Sequence, residues 1–123
     1  MFEVEFYKDK NGEEPIKKII DELLKKMSTS KEDRVRVKKI LTYINALANW
    51  GTRAGLPYMK HIEGNIWELR PLRDRIFFFY QNDNVFVLLH HFIKKTQKTP
   101  KKEIEQAKRN MLDHLERRAN NGN

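Results

Sequence analysis

The 123-residue chain contains no cysteine. That excludes disulfide frameworks, thiolate zinc sites and cysteine nucleophiles, and it suits a reducing cytoplasm. No apolar run approaches the length of a membrane span, so no membrane partner is expected. Residues 1–20 carry acidic side chains and lack the basic-then-apolar order of a secretory signal. His, Asp and Glu nowhere fall at zinc-ligand spacing. Walker-type loops, GxGxxG turns and GxSxG elbows are missing too, so neither a metal nor a cofactor is expected. No internal repeat or linker interrupts the chain. Acid is also scarce: 25 Lys and Arg stand against 17 Asp and Glu, a formal charge of +8. A small domain this basic attracts polyanions over long range, and nucleic acid is the commonest of them. Solubility alone is the plainer explanation of such a charge.

Hydrophobic residues make up 39% of the chain and charged residues 34%, as expected for a globular domain able to bury one core without staples. Residues 2–7 alternate, with Phe2, Val4 and Phe6 on one face, and read as a half-buried strand. After the Asn11-Gly12 turn, Pro15 and the row Ile16, Ile19, Ile20, Leu23, Leu24, Met27 predict an amphipathic helix. Ser30 is the expected N-cap of a second helix with Val37, Ile40, Leu41, Ile44, Leu47 and Ala48 inward, ended by Gly51. The period then switches. Residues 57–62, 65–72, 75–81 and 85–94 are short, aromatic or β-branched runs separated by turn residues, and predict antiparallel strands. Thr99-Pro100 opens a last helix carrying Ile104, Ala107, Met111 and Leu115. The expected fold is α+β, in the order β-α-α-β-β-β-β-α, with one curved, mainly antiparallel sheet packed by helices. Residues 1–118 form the expected domain and 119–123 a flexible tail.

The segment His90-His91-Phe92-Ile93-Lys94-Lys95-Thr96-Gln97-Lys98 ends an apolar strand in proton-carrying and cationic side chains. Simple alternation assigns Val85, Val87, Leu89, His91, Ile93 and Lys95 to one face, and Phe86, Leu88, His90, Phe92 and Lys94 to the other. A hairpin over 65–81 brings Arg70, Arg73 and Arg75 together, and pairing of 85–94 beside it adds residues 90–95. The expected product is a concave, basic, histidine-bearing surface.

Such a surface suits RNA cleavage without a metal. The 2′-OH attacks the neighbouring phosphate, which requires a base, an acid for the departing 5′-oxygen and positive charge on the phosphorane. Arginine supplies fixed planar donors for that charge. Histidine serves as acid or base near neutrality, and a lysine among cations is depressed toward acting as a base. Arg70, Arg73 and Arg75 are thus the candidate phosphate clamp. Lys94 or Lys95 is the candidate base and His90 or His91 the candidate acid. Lys60 and His61 on a neighbouring strand, with Gln97 and Lys98, are candidate RNA contacts. Plainer roles compete with each: a satisfied strand-end histidine pair, solvated lysines blunting a sheet edge, and arginines paired to Glu68 and Asp74.

The strings IWELRPLRDRIFFF and VLLHHFIKKTQKTPKKEIEQAKRN, with FYKDKNGEEPI and GTRAGLPYMKHIEGNIWELR before them, resemble the RelE/ParE-superfamily toxins of bacterial toxin–antitoxin modules. The likeness is greatest to the phage-derived Gp49-like, HigB-type branch and covers nearly the whole chain. The resemblance implies the fold order given above and a cytoplasmic, ribosome-dependent mRNA endoribonuclease that inhibits translation. The implied partners are mRNA, the ribosome and a cognate helix-turn-helix antitoxin of the HigA type, with operator DNA reached only through that antitoxin. By position, Arg70 and Arg75 match the arginines of the family's central strands, and Lys94 and Lys95 its basic pair after the last strand. The family's C-terminal catalytic tyrosine is missing, and His90 or His91 stands in its place. A ParE-like inhibitor of DNA gyrase and a non-catalytic RNA-binding domain are the alternatives.

Overall fold

In a computed structural model describing residues 1–121, the chain forms β1 (Glu3–Phe6), α1 (Pro15–Lys26), α2 (Lys31–Trp50), β2 (Met59–Glu63), β3 (Ile66–Leu69), β4 (Asp74–Asn82), β5 (Val85–Ile93) and α3 (Lys101–Asn121). The element order is the expected one, with a short 3₁₀ turn, Gly51–Ala54, added after α2. The α+β architecture is a single sheet ordered β1-β5-β4-β3-β2. Neighbours run antiparallel except for β1 beside β5, which is parallel with Glu3 opposite Val85.

Local chemistry explains the boundaries. Pro15 occupies the first turn of α1, where its missing N–H leaves no bond unmade. Ser30 Oγ accepts the Asp33 N–H at 3.2 Å at the start of α2, and Glu32 and Asp33 complement the helix dipole there. Gly51 ends α2 at φ 62°, and a Cβ at that position would lie 2.7 Å from the Phe2 ring. Asp83 and Asn84, both at positive φ, make the two-residue turn between β4 and β5.

Helices α1 and α2 cover one face of the sheet, where Ile16, Ile20, Val37, Ile40 and Leu47 pack on Leu69, Ile76, Phe78, Phe86 and Leu88. Helix α3 covers the other, where Ile104, Ala107 and Met111 pack on Ile66, Phe77, Phe79, Val87, Leu89 and Phe92. Phe77 and Phe78 are wholly buried on opposite faces. Each contributes roughly 2–3 kcal/mol of apolar transfer.

Simple alternation fails in β5. Phe77 pairs with His90 and Phe78 with Leu88, so Leu89 is an extra residue with no partner of its own. This bulge turns the rest of the strand over. His90 and Phe92 therefore share the α3 face with Val87 and Leu89, and His91 faces α1 and α2. Helix α3 continues through Asn121, so residues 119–121 of the expected tail are helical. The remainder of that tail, 122–123, lies outside the described residues. Among the described residues no helix is long and apolar enough to cross a membrane.

Candidate functional site

Strand register gathers cations at one end of the sheet. Leu69 pairs with Ile76, which sets Arg70 beside Arg75 across β3 and β4. Asp74 pairs with Ile93, and the Lys94 N–H donates to the Arg73 carbonyl at 2.9 Å, which draws the chain after β5 to the β3–β4 turn. Lys60 of β2 pairs with Glu68 of β3. Alternation sends Lys60, Glu68, Arg70 and Arg75 to the α3 side, and Lys94 lies close enough to Glu68 to act on it electrostatically. An open cavity of about 520 Å³ at this end is lined by Arg70, Lys94, Lys95, Thr96 and Gln97.

The two arginines are held differently. Arg75 is buried, and its Nη1 donates to the carbonyls of Leu72 at 2.6 Å and Asp74 at 2.9 Å. It thereby braces the 71–74 turn, in which Leu72 sits at φ 58°, a left-handed conformation that leucine rarely adopts. Burial lowers its pKa from the ordinary value, partly offset by Glu68. Arg70 is the more exposed, with its Nε 3.5 Å from Glu68 Oε1.

Glu68 lies beneath both and is 1% exposed. Burial raises its pKa, against the pull of Arg75, Lys94, Arg70 and Lys60. Sequence reasoning treated Glu68 only as an ion-pair partner of the arginines. The signal for more was an acid placed between Ile66 and Arg70 on the inward row of a short strand.

His91 and His90 do not share a site. His91 Nε2 is 2.7 Å from Asp74 Oδ1, and Arg36 of α2 clamps the same carboxylate through Nε at 3.1 Å and Nη2 at 2.7 Å. Burial alone would raise the Asp74 pKa, but the bonds from His91 and Arg36 prevail and lower it to about 2. His91 lines a neighbouring cavity of about 380 Å³ with Lys95, Thr96, Pro100, Lys102 and Glu103. Lys95 and Thr96 therefore border both cavities. His90 faces α3, where its Nε2 is 2.8 Å from Glu103 Oε1 and its ring stacks on Phe77. It opens onto a separate groove with Tyr7, Asp9, Glu13 and Asn110.

The remaining candidates divide in the same way. Lys60, Lys98 and Gln97 are exposed, and Gln97 lines the cationic cavity. Arg73 points away, toward Glu32 of α2 at 2.6 Å, because the turn projects it to the opposite side of the sheet from Arg70. His61 lies on the α1/α2 face against Trp67, and its Nε2 donates to the Gly64 carbonyl at 2.8 Å. The structure thus brings together Arg70, Arg75, Lys94, Lys95, Gln97 and Lys60. It places His91 in the adjoining cavity with its ring bonded on the α1/α2 face, and leaves Arg73, His90 and His61 outside.

A family model described as "Phage derived protein Gp49-like (DUF891)" matches residues 14–112, from the residue before α1 into the middle of α3. No curated protein matches the chain.

Proposed function

Because the chain belongs to the phage-derived Gp49-like family, the branch of RelE/HigB-like toxins, we propose that it is the toxin of a type II toxin–antitoxin module and cleaves translated mRNA on the ribosome in the cytoplasm. The observation that carries this reading is the open cavity where Arg70, Lys94 and Lys95 converge at one sheet end. In this reading Arg70 presents its planar fork to the scissile phosphate, and Lys94 adds a second charge as the phosphorane forms. Lys95, bordering both cavities, takes the 2′-OH proton. His91, oriented by Asp74, returns a proton to the departing 5′-oxygen where the RNA passes Lys95 and Thr96 into the adjoining cavity that His91 lines. The bond from the 2′-oxygen to phosphorus forms as the bond from phosphorus to the 5′-oxygen breaks, leaving a 2′,3′-cyclic phosphate. Lys60, Gln97 and Lys98 contact the RNA backbone around the cavity. The cognate antitoxin, a helix-turn-helix protein of the HigA type, covers part of the same positive surface, since this removes charge repulsion and blocks RNA together. Operator DNA is met only through that antitoxin.

Primer extension on transcripts after brief induction without antitoxin tests the proposal. New 5′ ends within translated codons are expected, and in a purified assay cleavage needs no added zinc or manganese on ribosomes that keep their own magnesium. Growth arrest with DNA damage and uncut transcripts would replace the reading with a gyrase-directed one.

A further inference from the structure

Under the cationic rim lies a carboxylate that the proposed chemistry does not use. Glu68 is almost wholly buried, and cations reach it from β2, β3, β4 and the chain after β5, namely Lys60, Arg70, Arg75 and Lys94. Arg70 and Arg75 both approach Oε1 through Nε, at 3.5 and 3.7 Å. Neither approach is aligned as a hydrogen bond, and Glu68 Oε2 has no hydrogen-bond partner among the described residues. A carboxylate buried with its lone pairs unsatisfied is unfavourable for folding, and apolar residues commonly replace such groups with a gain in stability. The raised pKa of Glu68 points the same way, since burial outweighs four cations. Stability alone therefore does not account for an acid at this position.

We infer that Glu68 is the positioning residue for Arg70: its buried carboxylate draws the Nε edge of the guanidinium inward as an ion pair, at 3.5 Å and without an aligned hydrogen bond, so that the Nη edge is held out to the cavity for a phosphate oxygen. The Arg70 side chain is 27% exposed against 10% for Arg75, and among the described residues no hydrogen bond engages the Arg70 Nη atoms. Arg75 is tied to the Leu72 and Asp74 carbonyls, and it anchors Glu68 from behind. The inference rests on the proposed RNA cleavage, in which a charge donor acts only when it is aligned before the reaction.

Two substitutions separate position from charge. Glu68→Gln keeps the size and removes the charge; Glu68→Asp keeps the charge and withdraws it by a methylene. Each is assayed for RNA affinity and single-turnover cleavage on programmed ribosomes, with thermal melts and the NMR signal of the Arg70 Nε–H group. If Glu68 contributed only charge, Glu68→Gln would bind and cleave as well as wild type or better, because a negative charge has been removed from under a basic rim. Positioning predicts affinity within about threefold of wild type, cleavage slower by roughly tenfold or more in both variants, and a displaced Arg70 Nε–H signal. In an Arg70→Ala background, Glu68→Gln should cause no further loss, since it acts through the missing side chain. A folded variant cleaving within about twofold of wild type, additive losses in the double mutant, or collapse of both variants on melting would overturn the inference. If wild type itself leaves RNA uncut, the proposed activity fails instead. The Arg70 Nε–H signal needs no substrate and still decides the positioning.

Discussion

Arg70 and Arg75 share a residue type, a sheet end and a carboxylate, yet their surroundings assign them different roles. Arg75→Ala frees the Leu72 and Asp74 carbonyls and strips Glu68 of its strongest attraction. Breaking a buried pair from one side typically costs about 3–5 kcal/mol, so this variant should lose toxicity by unfolding, seen as a lower urea midpoint. Arg70→Ala, which removes a partly exposed partner of Glu68 and frees no carbonyl, should lose less stability than Arg75→Ala, stay folded, and cleave on the order of a hundredfold more slowly, the loss of one preorganised charge donor. Asp74 titrates with a sign fixed by its partners. Its folded pKa of about 2 lies below the ordinary value of 3.8, so its contribution is present above that ordinary value and is lost as pH falls from there through 2. Asp74→Asn should cost roughly 2 kcal/mol at neutral pH and almost nothing near pH 2, measured as the gap between wild-type and variant melts along a pH series.

At the scale of elements, the strands and helices were legible and one face was not. Ser30 and Gly51 carry the start and end of α2 in their own chemistry, as capping oxygen and as left-handed stop. Ser30→Ala should cost about 1 kcal/mol. Gly51→Ala should cost roughly 1–3 kcal/mol, through backbone strain and the push on Phe2. Denaturant melts measure both, and cleavage per folded molecule should be unchanged because neither residue touches the cationic end. In β5 the period-2 pattern reads cleanly from Val85 to Ile93, and on that pattern His91 falls with Leu89. The bulge at Leu89 reverses this. Leu88 and Leu89 are both apolar and both buried, so no polar residue marks the extra position.

For the whole molecule, the +8 charge acts as a field and the cavity as a site, and the two respond differently to salt. Binding to a single strand should weaken linearly in log–log form, by about 0.7 per neutralised phosphate. Lys98→Ala should flatten that slope by about 0.7, one phosphate's share, while leaving cleavage at saturating ribosomes intact. Fluorescence anisotropy across a salt series gives the slope, and a quenched-flow assay gives the rate. A slope unaffected by Lys98→Ala would place the RNA path away from the 94–98 segment.

The sequence by itself determined the class of fold, the order of its elements and the basic character of the strand ends, because periodicity, caps and charge are local properties written residue by residue. It also placed Arg70, Lys94 and Lys95 in reach of one another, since a short hairpin and an adjacent antiparallel strand leave little freedom of register. Only the tertiary structure decided which neighbours each side chain meets. Arg73 was in sequence reach of Arg75, but the turn sends it to Glu32. His90 and His91 are adjacent in the chain, and the pleat drives them to opposite faces, one to Glu103 and one to Asp74. Glu68 is legible in sequence only as a partner of the arginines, and its burial among β2, β4 and the chain after β5 is not. Burial and partnership are properties of several segments at once, and no window of sequence contains them.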